Sequence, residues 1–256
     1  MMVQWLENGQ LIAPVLAVVM GGLVHGALGV GFPLVVTPLI ALVTDVKTAI
    51  LLTLIPTLTV NVFSVLYGGR WSESIGLYWS VALFTLLGSI LGTTLLIVSN
   101  PAPFKLVLAV LILFYLYADS LATLDWSWIQ RHSRPAGIGF GAVAGVAAGT
   151  VNVAVPVLII YFTELRLAPT ALVQILNLCF MAGKAAQVAT FSVSGHLTVD
   201  LVLISGGLAL LAGLSLWVGM RLRQRLDVDT YQGWLRRVLL IVAGTLIVQF
   251  AVDFIS

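Results

Sequence analysis

Between Glu7 and Asp45 the chain runs for 37 residues without a Lys, Arg, Asp or Glu. As one helix that run would be about 55 Å long at ~1.5 Å per residue, well beyond the ~30 Å hydrocarbon core of a bilayer. Further charge-free runs follow at 48–69, 74–104, 135–163, 167–183, 185–195, 201–220 and 238–252. Charged residues make up only 9% of the 256, against roughly 25% in soluble domains. That is too little polar surface for a cytosolic enzyme. The net charge of +2 gives no basic patch for a phosphate backbone, so no nucleic acid is expected as a partner. One cysteine, Cys179, excludes an internal disulfide and a cysteine metal cluster. No metal or cofactor is expected. The opening MMVQWLENGQ lacks a Lys/Arg n-region, so no cleaved signal peptide is expected. Strand alternation is absent, which argues against a barrel. The chain reads as an all-α, polytopic membrane protein whose first partner is the lipid bilayer.

Two of the runs are too long for one simple span, and both are interrupted in the same way. GALGVGFPLVVTPLIALV (26–43) and GVAAGTVNVAVPVLIIYF (145–162) each pass through a glycine-rich or polar break into a short apolar piece that contains a proline. This predicts helix, break, short helix, twice. Segments are expected at about 11–31, 33–43, 47–68, 75–98 and 103–121, then at 136–150, 152–163, 169–194, 198–222 and 232–253. The short pieces 33–43 and 152–163 either cross or re-enter. The halves echo one another. Gly31 precedes Pro38 by the same interval as Gly149 precedes Pro156, Asn61 and Asn177 fall in matching third segments, and Gly69-Arg70-Trp71 matches Gly195-His196-Leu197. The expected organisation is a first membrane repeat over 1–121, a connecting loop over 122–135 and a second repeat over 136–256. Each repeat is a broken or re-entrant helix pair followed by three transmembrane helices.

An odd number of segments inverts the second repeat. Alternating the segments then gathers Arg70, Arg131, Arg134, Arg166, Arg221, Arg223, Arg225, Arg236 and Arg237 on one side, and Lys47 and Lys105 on the other. The arginine side is expected to be cytoplasmic. Most tryptophans flank segments, as an interfacial belt does.

Inverted repeats with discontinuous helices are the pattern of secondary transporters. Lipid offers no partner to main chain freed at a break, so a break belongs beside a wet cavity or a ligand. Helix N-termini near Pro33 and Asn152 would present free N–H groups and partial positive charge to an anion. Gly29, Gly31 and Gly149 allow sharp turns, and Thr150 and Asn152 add donors at the second break. The competing reading is packing: Gly22, Gly26, Gly88, Gly92 and the ladder Gly137, Gly141, Gly145, Gly149 fit small-xxx-small helix contacts. Such ridges serve either internal packing or a homodimer.

Lys184 is the most informative residue. It lies midway through segment 169–194, where a lysine costs about 2.5–3.5 kcal/mol on insertion scales. It should face the interior and meet an anion, water, or an acid such as Asp200 or Asp119. Gln174, Asn177, Met181 and Lys184 share a helix face, and Asn61 with Ser64 forms the weaker polar stripe of the first half. His25, beside Gly26, is either a proton carrier or a hydrogen-bonded interior residue. The candidate substrate-binding set is His25, Gly29, Gly31, Asn61, Gly149, Thr150, Asn152, Asn177 and Lys184. No catalytic residue is expected. Ser194-Gly195-His196 and Ser205-Gly206 have only a superficial likeness to an intramembrane hydrolase. A membrane assembly or structural factor without a substrate is the other alternative.

These features resemble the sulfite exporter TauE/SafE family. The resemblance is carried by GGLVHGALGVGFPLVVTPLIAL (21–42), the Gly-Arg-Trp turn at 69–71, GSILGTTLL (88–96) and the second copy GAVAGVAAGTVNVAVPVLIIYF (141–162). The family's Gly-x-Gly-Gly-Gly stretch is matched at Gly29 and Gly31, with Pro38 following. Phe32 and Pro33 replace the last two glycines, and Thr150-Val151-Asn152-Val153 largely replaces the second cluster. The resemblance implies a multi-pass protein of a bacterial inner membrane. Its implied role is export of sulfite or a related small sulfur-containing anion, sulfonates included, by alternating access.

Overall fold

The computed structural model describes residues 11–67, 71–118, 125–223 and 228–255. Gly69, Arg70, Asp119 and Arg225, which figure in the sequence analysis, lie outside them. The described residues are helical throughout. In the first half, α1 spans Ile12–Leu28, α2 Phe32–Ala41, α3 Val46–Leu52, α4 Leu54–Leu66, α5 Trp71–Val98 and α6 Ala102–Leu116. A short connecting helix, α7, covers Ser127–Arg131. The second half has α8 (Ser133–Val151), α9 (Val155–Glu164), α10 (Pro169–Val193), α11 (Val199–Leu222) and α12 (Val228–Ile255).

Four described stretches are long and apolar enough to cross a bilayer: Gly76–Val98, Pro169–Val193, Val199–Leu222 and Gln232–Phe254. The pair α3 and α4 makes a fifth if counted as one bent span. Large apolar side chains such as Leu210, Leu214, Ile241 and Val248 cover the outside, which only a lipid surround tolerates over so wide an area. The chain is a multi-pass membrane protein.

Both long interrupted runs break where expected and fold back as hairpins. At the first break, Gly29 ends α1 with φ 83° and Gly31 opens α2 with φ 108°. Both are left-handed positions where a side chain is strained. The α2 helix then returns along α1, so a Cβ on Gly21 would touch Val36 and Phe32. In the second hairpin the Tyr161 hydroxyl donates to the Ser133 carbonyl at 2.9 Å, which brings the end of α9 beside the start of α8. Each short helix has 10 residues, about 15 Å of rise, or half a bilayer core.

The expected single segment 47–68 is in fact two helices, bent by 52° at Thr53. The cause is Pro56. It has no N–H to return to the Leu52 carbonyl. Ser205 on α11 fills the gap: its hydroxyl donates to the Leu52 carbonyl at 3.0 Å and accepts the Ile55 N–H at 3.2 Å. Ser205 is thus a plug in a broken helix. Ser205→Ala strands both backbone groups, each worth about 1–3 kcal/mol when buried and unpaired. The expected result is a clearly lower Tm in detergent, and an unchanged Tm would dismiss the plug.

The main packing contacts come in pairs that match between the halves. The α5 helix lies along α8 and α11 lies along α1; α5 packs on α10 and α11 on α4; α4 meets α10 and α6 meets α12. The close crossings are made by glycine. A Cβ on Gly26 would stand 2.3 Å from the Leu216 carbonyl oxygen, and one on Gly145 2.2 Å from that of Thr85. The ridges are consumed inside the protein. At the rim, Lys105 pairs with Asp253 at 2.8 Å, and an Arg236 N–H reaches the Leu116 carbonyl at 2.6 Å. Both contacts tie α6 to α12.

Candidate functional site

The two breaks converge on the interface of α4 and α10. On α10, Gln174, Asn177, Lys184 and Gln187 are all buried and share one face. On the bent helix, Thr53, Thr57 and Asn61 are buried and recur at four-residue spacing. Between them lie Asn152 from the second break and Thr37 from α2.

Lys184 is 3% exposed. Its ammonium donates to Asn152 Oδ1 at 2.7 Å and to Gln187 Oε1. Both acceptors are neutral. No carboxylate among the described residues reaches it, and Asp200 lies at the start of α11. An ammonium has three donors, and a buried charge with only amide partners is undercompensated. The surroundings are built to hold this arrangement. Asn152 Nδ2 donates to Thr37 Oγ1 at 2.8 Å and, more weakly, to Thr53 Oγ1 at 3.4 Å. Gln187 Nε2 donates to the Gly149 carbonyl at 3.0 Å, which the end of α8 leaves free. Lys184 is therefore pinned between the second break, α2 and the bend of α3–α4.

Beside the ammonium is a small enclosed cavity of about 10 Å³, lined among others by Pro33, Thr57, Asn152, Ala154, Val155 and Lys184. It has room for about one water. The α9 helix starts there, at Val155, with no side-chain cap, so the positive end of its dipole and the Val155 N–H lie at the same cavity as Lys184. The site is positive, and in this conformation it is closed around less than a polyatomic anion.

The first break carries a different arrangement. His25 is fully buried. Its Nδ1 accepts the Phe32 N–H at 3.3 Å, and Nε2 meets Ser64 Oγ at 2.8 Å. The backbone donor fixes Nδ1 as the acceptor, so the proton sits on Nε2 and points at Ser64. Of the two readings of His25, the interior, hydrogen-bonded one describes it: it caps α2. Asn177 Nδ2 donates at 2.8 Å to both the Gly29 and Val173 carbonyls, which ties α10 to the break. A larger cavity, about 360 Å³, opens here between His25, Gly29, Ser64, Tyr67, Met220 and Arg223.

The nine candidates thus fall into three groups. Lys184 and Asn152 meet directly. His25, Gly29, Gly31, Asn177 and Asn61 lie along the first break and the polar stripe. Gly149 and Thr150 are not at a turn: both are inside α8, and the left-handed residue of the second break is Asn152, with φ 63°. Asn152 also ends α8 rather than starting the short helix, which begins three residues later. Thr150 Oγ1 bonds back to the Val146 carbonyl at 2.8 Å and lines an apolar outer groove. Ser194 and His196 form a helix-end turn around Gly195, with the Ser194 hydroxyl on the Thr190 carbonyl. Among the described residues, no three His, Cys, Asp or Glu gather as a metal site.

Residues 14–250 match the family described as Sulfite exporter TauE/SafE. The chain belongs to that family. No curated protein and no solved structure matches it. The TauE/SafE match includes both helix breaks, so the two breaks belong to the body of a membrane transporter.

Four site residues of this TauE/SafE protein escape a reading of its sequence for motifs. Gln187 follows Lys184 by three and extends the spacing of Gln174, Asn177 and Lys184, so the stripe itself was the signal. Thr53 and Thr57 continue Asn61 backwards at four-residue steps. Thr37 has no such signal, because only folding brings α2 against Asn152. Asn152→Gly tests the clamp, since glycine keeps the left-handed backbone and removes only the side chain. The expected result is a folded protein whose anion affinity falls about tenfold, the worth of one charged hydrogen bond, read by thermal shift. Unchanged affinity would remove Asn152 from the site.

Proposed function

We propose that this TauE/SafE protein exports sulfite or a related small sulfur-containing anion, held at mid-membrane between its two helix breaks. The observation that carries this reading is Lys184: a buried ammonium with neutral partners, at the same cavity as the uncapped start of α9. A bare anion in hydrocarbon costs tens of kcal/mol in the Born limit. Lys184 supplies a full countercharge and the α9 terminus a partial one, so the anion and the lysine relieve each other's burial.

The halves act as inverted repeats, divided near 121 and 136, with the arginine-bearing loops cytoplasmic. The matched packing of α1 with α11 and α5 with α8 supports this. Transport then proceeds by alternating access. The 360 Å³ cavity at the first break, beside Arg223, serves as the cytoplasmic vestibule, and the small cavity at Lys184 is the occluded station. Swinging one hairpin against the other opens the station to either side. An inside-negative potential drives an anion outward by about 2.3 kcal/mol per charge per 100 mV, so export needs no coupled ion.

The test is flux from proteoliposomes with the membrane potential clamped, comparing sulfite, sulfoacetate, sulfate and chloride. Sulfite or sulfoacetate efflux that rises with interior-negative potential is expected. No protein-dependent flux of any of the four would overturn the reading.

A further inference from the structure

The stripe between α4 and α10 contains polar atoms that no protein group satisfies. Thr57 Oγ1, both side-chain heteroatoms of Asn61 and Asn177 Oδ1 are buried and unpartnered. Thr57 lines the cavity with Lys184. Asn61 lies one turn further along α4 and is fully buried, next to the turn whose Ser64 meets His25. Asn177 lies two turns from Lys184 on the facing helix, and its side chain also lies against His25. A buried amide or hydroxyl left unpaired costs about 1–3 kcal/mol, and native interiors hold few of them. Thr57 Oγ1 stands at the cavity that holds the ammonium, and Asn61 is one turn beyond it.

Their chemistry is specific. The amide of Asn177 cannot be turned round, because its Nδ2 already serves the Gly29 and Val173 carbonyls. Its Oδ1 is therefore fixed as an acceptor, beside His25. Asn61 offers an unpaired carbonyl oxygen in either orientation. A ligand made only of acceptor oxygens, such as sulfate or the sulfite dianion, satisfies Lys184, the Val155 N–H and Asn61 Nδ2, but has nothing to give Asn61 Oδ1. Charge points the same way. Lys184 is the one buried cation among the described residues, because the Nδ1 of His25 is held as an acceptor. One cation balances one negative charge, and a second charge would travel uncompensated.

We infer that the species carried is a singly charged oxyanion bearing its own O–H donor, of the hydrogen sulfite type, with its oxygens on Lys184 and its O–H received by Asn61. This rests on the reading of Lys184 as the anion station and adds the protonation state and charge of the substrate to it. Asn61 then distinguishes hydrogen oxyanions from sulfonates, sulfinates and dianions.

The deciding experiment uses purified full-length protein at one mildly acidic pH and reads affinity from thermal shift across concentrations. The probes are hydrogen sulfite, methanesulfinate and sulfate. Methanesulfinate has the same single charge and pyramidal shape, with methyl in place of hydroxyl. Hydrogen sulfite is expected to bind at least about tenfold tighter than either, since a site that accepts a ligand hydroxyl rejects the analogue without it. In Asn61→Leu the preference over methanesulfinate should shrink severalfold. The resting Tm of that variant should not fall, because leucine removes two unsatisfied atoms from a buried position. Equal affinity of wild type for hydrogen sulfite and methanesulfinate, or tighter binding of sulfate, overturns the inference, while loss of all binding in Lys184→Ala would leave the station in place. If no probe stabilises the wild type and Lys184→Ala transports normally, the station itself is refuted, and this inference falls with it.

Discussion

Lys184→Met abolishes sulfite efflux, by about a hundredfold or more, in a protein that still inserts and folds. The magnitude follows from removing the one full countercharge in a buried site. Two charge-assisted hydrogen bonds at about 1.5–3 kcal/mol each exceed the roughly 2.7 kcal/mol that a hundredfold requires. The resting stability should move little, because two terms oppose. Burying the unpaired ammonium costs several kcal/mol, and methionine removes that cost. It also leaves Asn152 Oδ1 and Gln187 Oε1 without their donor, at about 1–3 kcal/mol each. Efflux from proteoliposomes, with Tm and gel filtration on the same preparation, checks both halves. Wild-type flux through well-folded Lys184→Met would take this residue out of the mechanism. The same variant should lose the thermal shift given by hydrogen sulfite, which separates lost binding from a slowed conformational change.

Gly149→Leu is expected to prevent folding altogether. A Cβ there would stand 2.5 Å from the Ser89 carbonyl oxygen and 2.6 Å from the Thr93 amide nitrogen. Both are main-chain atoms of α5, which no rotamer change moves, so α8 and α5 must separate along their length. Changes of this kind exceed about 4 kcal/mol, a large share of the 5–15 kcal/mol that holds a typical protein folded. The readout is loss of monodisperse protein after extraction. Gly31→Ala is the informative contrast. Its Cβ would meet nothing closer than Val24 Cγ1 at 3.8 Å, so only the left-handed backbone, about 1–2 kcal/mol, opposes it. That variant should fold with a lowered Tm. Wild-type behaviour of Gly149→Leu would show that α8 and α5 are not in contact as described.

The pair of glycines shows where sequence reading stops. Gly31 and Gly149 precede their prolines by the same interval, and on that pattern both mark a turn. In three dimensions one is a left-handed helix start and the other a flat spot for a crossing helix. The difference lies in what stands opposite, which the chain's own spacing does not encode. His25 is similar. Its type permits a proton carrier, and only the Phe32 N–H arriving at Nδ1 makes it a neutral cap. The bend at Thr53 is a partial miss of another kind. Pro56 was visible in the run 48–69, but a proline alone does not say whether a neighbouring helix repairs the ladder or leaves it bent. Ser205 does both, by occupying the stranded groups and so stabilising the bend.

What the sequence determined by itself was everything that lipid enforces. The bilayer punishes exposed charge and unpaired main chain at every position, so charge-free runs, their two matched interruptions and one lysine in the middle of a span carry their meaning without neighbours. Tertiary structure alone decided which groups meet: that Asn152 and Gln187 receive the ammonium, that Thr37 and Thr53 hold Asn152, and that Asn61 keeps a bare oxygen. Those facts are distances between segments far apart in the chain, and a contact that depends on how two helices cross has no local signature in either one.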